Sequence, residues 1–368
     1  RDVLGSRGLG DVYKRQMKRE SLKYIIGVLK GEEGNIRPEW YETLGFLYSH
    51  KIAGLFYRRA ERQGIPLPDK IKKLLSDTYQ RQKRRVERMR EQIAEISEKL
   101  IQTKTEHLLL KGSVLSNIAE DTIYEDGERI SNDIDVLVKP NGITQVEDSL
   151  KCLGFVQGKY EEDTGVIVPY SRLEILKRRM NRGETAPFLK TTGDSETPFI
   201  EIDINFSLGN IPGEKEGLLS EMITTGKVYR GKVCMRVADE ELFFLHLIMH
   251  QYKESCLYFM VEKGKDLDLY KLTDIYYLWK AECFDKERLK RLSRKYGVVK
   301  EVGTILGQVG RIFSDEEISS AAEEYGDKRP EVVDYESKKR YRWTADEWTR
   351  LCRFDAKNLL CEIKENAE

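Results

Sequence analysis

A chain of 368 residues exceeds the usual single-domain size of about 100–200 residues, so two or three structural units are expected. Its 63 Lys and Arg residues balance 63 Asp and Glu residues, which excludes general electrostatic affinity for nucleic acid or acidic membranes and leaves only local patches. The 40% hydrophobic content excludes global disorder, and the longest apolar run, Leu242–Met249, is broken by His246 and is far short of the ~20 residues that span a membrane.

Residues 1–16 (RDVLGSRGLGDVYKRQ) precede Met17 with mixed charge and no apolar core, so they are expected to be a non-native leader and not a secretory signal. Gly5, Gly8 and Gly10 fit neither of the glycine spacings that cradle phosphates. From Met17 to Thr105 the pattern is helical. Tyr41–Gln63 carries Leu44, Leu47, Tyr48, Ile52, Leu55 and Phe56 near a 3.6 period, and a long helix is expected from about Pro68 to Thr103. Its basic stretch Arg81–Arg90 (RQKRRVERMR) reads first as a solvated face compensated by Glu87, Glu91, Glu95 and Glu98, with an anion or nucleic-acid patch as the other reading.

The texture changes at residue 106. HLLLKGS reads as a short buried strand ending at Gly112 and Ser113, followed by a helix over Val114–Glu120, a loop, and the strand DIDVLV. A helix from about Asn141 exits through LGF toward another strand, and residues 157–197 form a polar excursion containing the basic KRRMNR. Then Pro198–Leu208 alternates Ile200, Ile202, Ile204 and Phe206 against Glu201, Asp203, Asn205 and Ser207, the period of a half-buried strand. From residue 238 helices return, with Asp239 as an N-cap and capping boxes at Ser314–Glu317 and Thr344–Glu347. The expected organisation is a helical region 17–105, an α/β core 106–237 and a helical domain 238–368, an α+β protein.

Asp133 and Asp135 are two apart in a strand and share a face, with Ile134, Val136 and Val138 on the other. Like charges so placed are compatible with a divalent cation between them, and hard oxygen ligands suit Mg²⁺. Polar alternation alone also produces such a pair. Asp203 supplies a third carboxylate, Gly112 and Ser113 stand at a strand-to-helix junction where phosphate oxygens can be held, and Lys111 and Arg129 could neutralise a triphosphate or form structural ion pairs.

The sequence KGS, then DIDVLV, then EIDIN is similar to the nucleotidyltransferase superfamily related to DNA polymerase beta, with its Gly-Ser turn, D-x-D strand and third Asp on a later strand. More closely it resembles the uncharacterised bacterial nucleotidyltransferase-like family, in which LKG precedes an R-x-x-x-D-I-D-hydrophobic signature, here Arg129–Val136. The resemblance runs from about Ser49 to the LTDIYYL segment at 272–278. It implies a small mixed sheet with flanking helices and transfer of an NMP from an NTP such as ATP to an unidentified acceptor, with release of pyrophosphate. It implies catalytic and metal roles for Asp133, Asp135 and Asp203, two Mg²⁺ ions with Mn²⁺ as an alternative, and nucleotide contacts from Lys111, Gly112, Ser113 and Arg129. Two departures stand out. Nineteen positions separate Ser113 from Asp133, and Asn205 stands where such relatives often carry His.

Two other readings belong to different classes: an inactive nucleotide- or partner-binding module on the same fold, and a toxin-like modifier of protein or tRNA. His246 and His250 share a helix face but lack the Glu of an H-E-x-x-H site and read as packed or hydrogen-bonded. Asp266, Asp268 and Asp274 read as caps and surface charges, and Tyr270, Tyr276, Tyr277 and Trp279 as core. Six scattered cysteines without C-x-x-C pairs read as reduced structural thiols in a cytoplasmic protein.

Overall fold

The computed structural model describes residues 17–32, 38–118, 123–181, 183–209, 213–353 and 363–366. The expected leader, Cys361 and Arg182 of KRRMNR lie outside them. The chain divides into two compact units. One takes the described residues up to Ser76, His250–Tyr277 and those from Val299 on; the other takes Asp77–Met249 and Leu278–Val298.

The chain begins with helices α1 (Arg19–Lys30), α2 (Trp40–Ser49) and α3 (Ala53–Arg62). The single helical run expected over Tyr41–Gln63 is two helices, because Lys51 takes a left-handed φ of 55° that no helix continues through. The long helix α4 (Asp69–Gln102) forms as its periodicity requires. It buries Tyr79, Val86, Met89, Ile93, Ile96 and Leu100, a stripe at helical spacing. The Glu87 charge of the same helix acts on Arg84, but the ion pairs of three of its arginines run elsewhere. Arg84 pairs with Glu196 at 2.8 Å, Arg88 with Asp194, and Arg90 with Asp126 at 2.5 Å, all distant in sequence.

The second unit is built on a mixed six-stranded sheet of order β1-β2-β6-β5-β3-β4, which confirms the α+β class. Its strands are β1 (His107–Leu109), β2 (Ile134–Val138), β3 (Val156–Glu161), β4 (Val166–Pro169), β5 (Phe188–Thr191) and β6 (Phe199–Asn205). Only β2 and β6 pair in parallel. Between β1 and β2 stands the short helix α5 (Lys111–Leu115), which starts three residues earlier than Val114, so Gly112 and Ser113 lie within it. Helix α6 (Ile143–Cys152) follows β2 and buries Ile143, Val146 and Leu150. The polar excursion after residue 156 is ordered as the β3–β4 hairpin, α7 (Arg172–Asn181) and β5, which slots between β6 and β3. Next come α8 (Glu216–Thr225) and the hairpin β7 (Lys227–Arg230)–β8 (Cys234–Val237).

Helices α9 (Glu240–Cys256), α10 (Tyr258–Glu262) and α11 (Leu269–Lys280) follow. Asp239 caps α9 as expected, accepting from Leu242 N at 3.0 Å. After α12 (Lys286–Lys295) and α13 (Val299–Phe313), helix α14 (Glu316–Glu324) is capped by Asp315, not Ser314, and α15 (Glu347–Leu351) by Asp346, not Thr344. In each case an aspartate beyond the expected residue wins, since a carboxylate is a strong N-cap acceptor. A three-stranded sheet of β9 (Glu331–Val333), β10 (Arg340–Trp343) and β11 (Ile363–Glu365) packs Val332, Trp343 and Ile363 against Val261 in the first unit. Tyr276 and Trp279 are buried as expected of core aromatics. Asp266 and Asp274 are buried, not surface charges. Cys152, Cys234, Cys256, Cys283 and Cys352 are free thiols. Among the described residues no helix is long and apolar enough to cross a membrane.

Candidate active site

Every residue of β2 is buried, while β6 alternates half-buried Glu201, Asp203 and Asn205 with buried Ile200, Ile202 and Ile204. The apolar set anchors β6 and leaves the polar set on one face. In the parallel pairing Asp135 stands opposite Asp203 and Leu137 opposite Asn205. Partners across adjacent strands lie roughly 5 Å apart and project to the same face, so register alone brings these two carboxylates together. Asp133 stands at the mouth of β2, where the Ser131 hydroxyl donates to its carbonyl at 2.8 Å and to its carboxylate at 3.2 Å.

The cluster is electrostatically stressed. Burial, then the negative charges of Asp135, Asp133, Glu184 and Glu201, pushes the Asp203 carboxyl up to about 8. Burial also raises Asp135, opposed by the Lys111 ammonium, with Asp133 pushing it further up. Lys111 Nζ donates to Asp135 Oδ1 at 2.7 Å, and Asn205 Nδ2 donates to the same oxygen at 3.1 Å. Lys111 holds a left-handed φ of 51°, a conformation that costs a non-glycine residue on the order of 1 kcal/mol and turns the chain sharply from β1 into α5.

Among the described residues no group of three or more His, Cys, Asp or Glu side chains is arranged to hold a metal ion as the side chains stand. The donor chemistry nonetheless fits Mg²⁺. Two hard oxygen donors one strand spacing apart, with a third carboxylate close enough to raise both, form a site whose mutual repulsion a divalent cation would relieve.

The turn beside the cluster is sterically exacting. A Cβ on Gly112 would lie 2.7 Å from Ser131 Oγ, 2.8 Å from Ser131 Cβ and 3.4 Å from Arg129 Nη1, so only glycine lets α5 approach the segment that leads into Asp133. Arg129 is buried; its guanidinium donates to the Ile130 carbonyl, and the Arg129 carbonyl accepts from Ser116 Oγ at 2.9 Å. Strand ends, carboxylates and cations are thus assembled around residues 111–135 and 203. The model of the uncharacterised nucleotidyltransferase family matches residues 37–314, about three quarters of the chain.

The chain belongs to this nucleotidyltransferase family. No curated protein and no solved structure matches it. The family match takes in both strands of the carboxylate cluster and the Gly112–Ser113 turn, and it supports a transferase in general.

Glu201 and Glu184, to which the sequence assigned no site role, and Arg85, covered there only by the general anion-patch reading of Arg81–Arg90, also border the cluster or the Gly112 turn. Glu201 shares the alternating face of β6 with Asp203 and is raised by burial and by Asp133, a placement its period-two spacing already carried. Glu184 joins through an isolated bridge to Asn205, for which no local pattern exists. Arg85 of α4 lines a small cavity with Gly112, Ser113 and Ser131. His246 and His250 take no part in the cluster: His246 is buried, and His250 Nε2 lies 3.5 Å from Glu254.

Proposed function

We propose that this chain transfers a nucleoside monophosphate from a nucleoside triphosphate to an acceptor, with Mg²⁺ and with release of pyrophosphate. The observation that carries the reading is the in-register pairing of Asp135 with Asp203 beside Asp133, one buried acidic cluster under a glycine-dependent turn. When bound, Mg²⁺ would supply charge neutralisation for the in-line displacement at the α-phosphate. Asp133, Asp135 and Asp203 would hold it. Asp203, raised to about 8 by burial and by its acidic neighbours, would also take a proton from the acceptor group. Lys111, now on Asp135, is positioned to exchange that carboxylate for phosphate oxygens, and Gly112, Ser113 and Arg129 bound the space where those oxygens would sit. ATP is the first donor to test, and the free thiols suit a reducing, cytoplasmic setting.

The experiment is transfer of label from each α-labelled NTP, with Mg²⁺ and cell extract, by the wild-type chain, Asp133→Asn and Asp203→Asn. Labelled product that persists in both variants sinks the mechanism. One observation favours a second reading: the Lys111–Asp135 ion pair already neutralises part of the cluster, as a binding module without chemistry would require. Tight NTP binding by the wild-type chain with no transfer to any extract component selects that module.

A further inference from the structure

The small cavity beneath the Gly112 turn separates the polar groups around it into two kinds. Ser116 Oγ is held by the Arg129 carbonyl at 2.9 Å, and Ser131 Oγ by Asp133. Asn117 donates to the Ser113 carbonyl at 2.8 Å and accepts from Arg90 Nε at 3.0 Å. Ser113 Oγ and Arg85 Nε, by contrast, are buried and have no hydrogen-bond partner among the described residues. Ser113 is only 1% exposed.

Arg85 differs from its neighbours on α4 in the same respect. Arg84, Arg88 and Arg90 each hold a carboxylate, while Arg85 forms no ion pair among the described residues. Burial disfavours its charge, and Asp133, the carboxylate at the mouth of β2, is the charge that acts to restore it. A half-buried guanidinium without a counterion, across a cavity from an unused hydroxyl, has the donor geometry that binds phosphate oxygens.

We propose that Arg85 is a phosphate-binding residue for the terminal phosphates of the nucleotide donor, acting with Ser113 from the α4 side of the site. The inference rests on the nucleotidyl-transfer reading and names a residue outside the D-x-D and Gly-Ser motifs. The cavity has room for about one water, so a terminal phosphate oxygen at its mouth, and not the nucleoside, would reach these two groups. The basic stretch Arg81–Arg90 therefore contributes one dedicated side chain and not a diffuse patch.

The test is calorimetric binding of inorganic pyrophosphate with Mg²⁺ to the full chain, compared among wild type, Arg85→Gln, Arg85→Lys and Arg84→Gln, with circular dichroism to establish that each variant is folded. Arg85→Gln is expected to weaken pyrophosphate binding at least 10-fold, Arg85→Lys to retain part of it because the point charge survives, and Arg84→Gln to bind as wild type. If Arg85 and Arg84 variants weaken equally, the effect is general helix charge and the proposal is overturned. Wild-type pyrophosphate binding in Arg85→Gln alongside intact label transfer overturns it and leaves the transferase reading standing. Failure of the wild-type chain to bind either pyrophosphate or NTP removes both.

Discussion

Asp135 and Asp203 stand opposite each other in register across the parallel pair β2 and β6, a placement in which the Asp135 charge raises the Asp203 carboxyl. An acidic cluster of this kind is under electrostatic stress when no cation neutralises it. Asp203→Asn is therefore expected to stabilise the metal-free protein by about 1–2 kcal/mol at neutral pH, while lowering nucleotidyl transfer by a factor on the order of 10³. Thermal melting in EDTA and label transfer in Mg²⁺ read the two effects separately. A variant that is no more stable in EDTA would contradict the electrostatic account of the cluster.

Gly112 has a second, steric prediction attached to it. A methyl there would overlap both heavy atoms of the Ser131 side chain, the hydroxyl of which fixes the Asp133 backbone and carboxylate. Gly112→Ala is expected to cost about 1–3 kcal/mol of stability and to reduce transfer through displacement of Asp133. Adding Ser131→Gly makes room for the methyl, so the double variant should recover stability but not the Ser131–Asp133 hydrogen bonds. Denaturant midpoints of the two single variants and the double variant test it; a purely additive cycle would rule out the steric coupling.

The parts of this site that the sequence carried are those in which local periodicity and function coincide. Asp133, Asp135 and Asp203 were legible because their strands alternate or run apolar around them, and Gly112 because it interrupts such a run. Strand order was not legible: β5 joins β6 from a segment that reads as polar excursion, since β3 is mostly polar and the apolar run of β4, VIVP, is only four residues long and exposed. Charge pairing was also hidden. The carboxylates that hold Arg84, Arg88 and Arg90 come from residues 126–196, so no i to i+4 count along α4 could separate the satisfied arginines from Arg85. Capping was legible only to within a residue or two, because Asp315 and Asp346 compete with the Ser and Thr beside them.

His107 makes the second unit sensitive to acid. Its Nδ1 lies 2.8 Å from the Thr105 carbonyl, which only accepts, so Nδ1 carries the proton and Nε2 is bare, buried and without a hydrogen-bond partner among the described residues. Burial holds the imidazole below its ordinary value of 6.5, Arg236 adds to the depression, and the Thr105 bond opposes it. The unfolded chain thus takes up a proton at a higher pH than the folded one. The His107 contribution is complete above about 6.5, falls as pH drops below it, and reaches its full loss below the depressed folded value. His50 in the other unit, also lowered by burial, adds the same sign. Protonation of Asp203 acts in the opposite direction over the same range, so the readout is the comparison: between pH 7.5 and 5.5 the urea midpoint of wild type should shift toward lower stability relative to that of His107→Gln, and an identical pH dependence would discount His107.

The pair Asp266–Arg350 is expected to be the most sensitive contact of the first unit. Both side chains are almost fully buried, and the guanidinium lies 3.6 Å over the Trp343 ring, between the charge partner and the three-stranded sheet. The Asp266 carbonyl accepts from Gln251 Nε2 and Ser255 Oγ at 3.0 Å each, so the backbone that presents the carboxylate is itself fixed. Removing one partner strands a buried charge. Asp266→Ala is expected to cost about 3–5 kcal/mol, whereas Asp266→Leu combined with Arg350→Met, which removes both charges and keeps volume, should recover most of it. A double variant as unstable as Asp266→Ala would mean that the stacking of Arg350 on Trp343, and not charge compensation, governs this part of the fold.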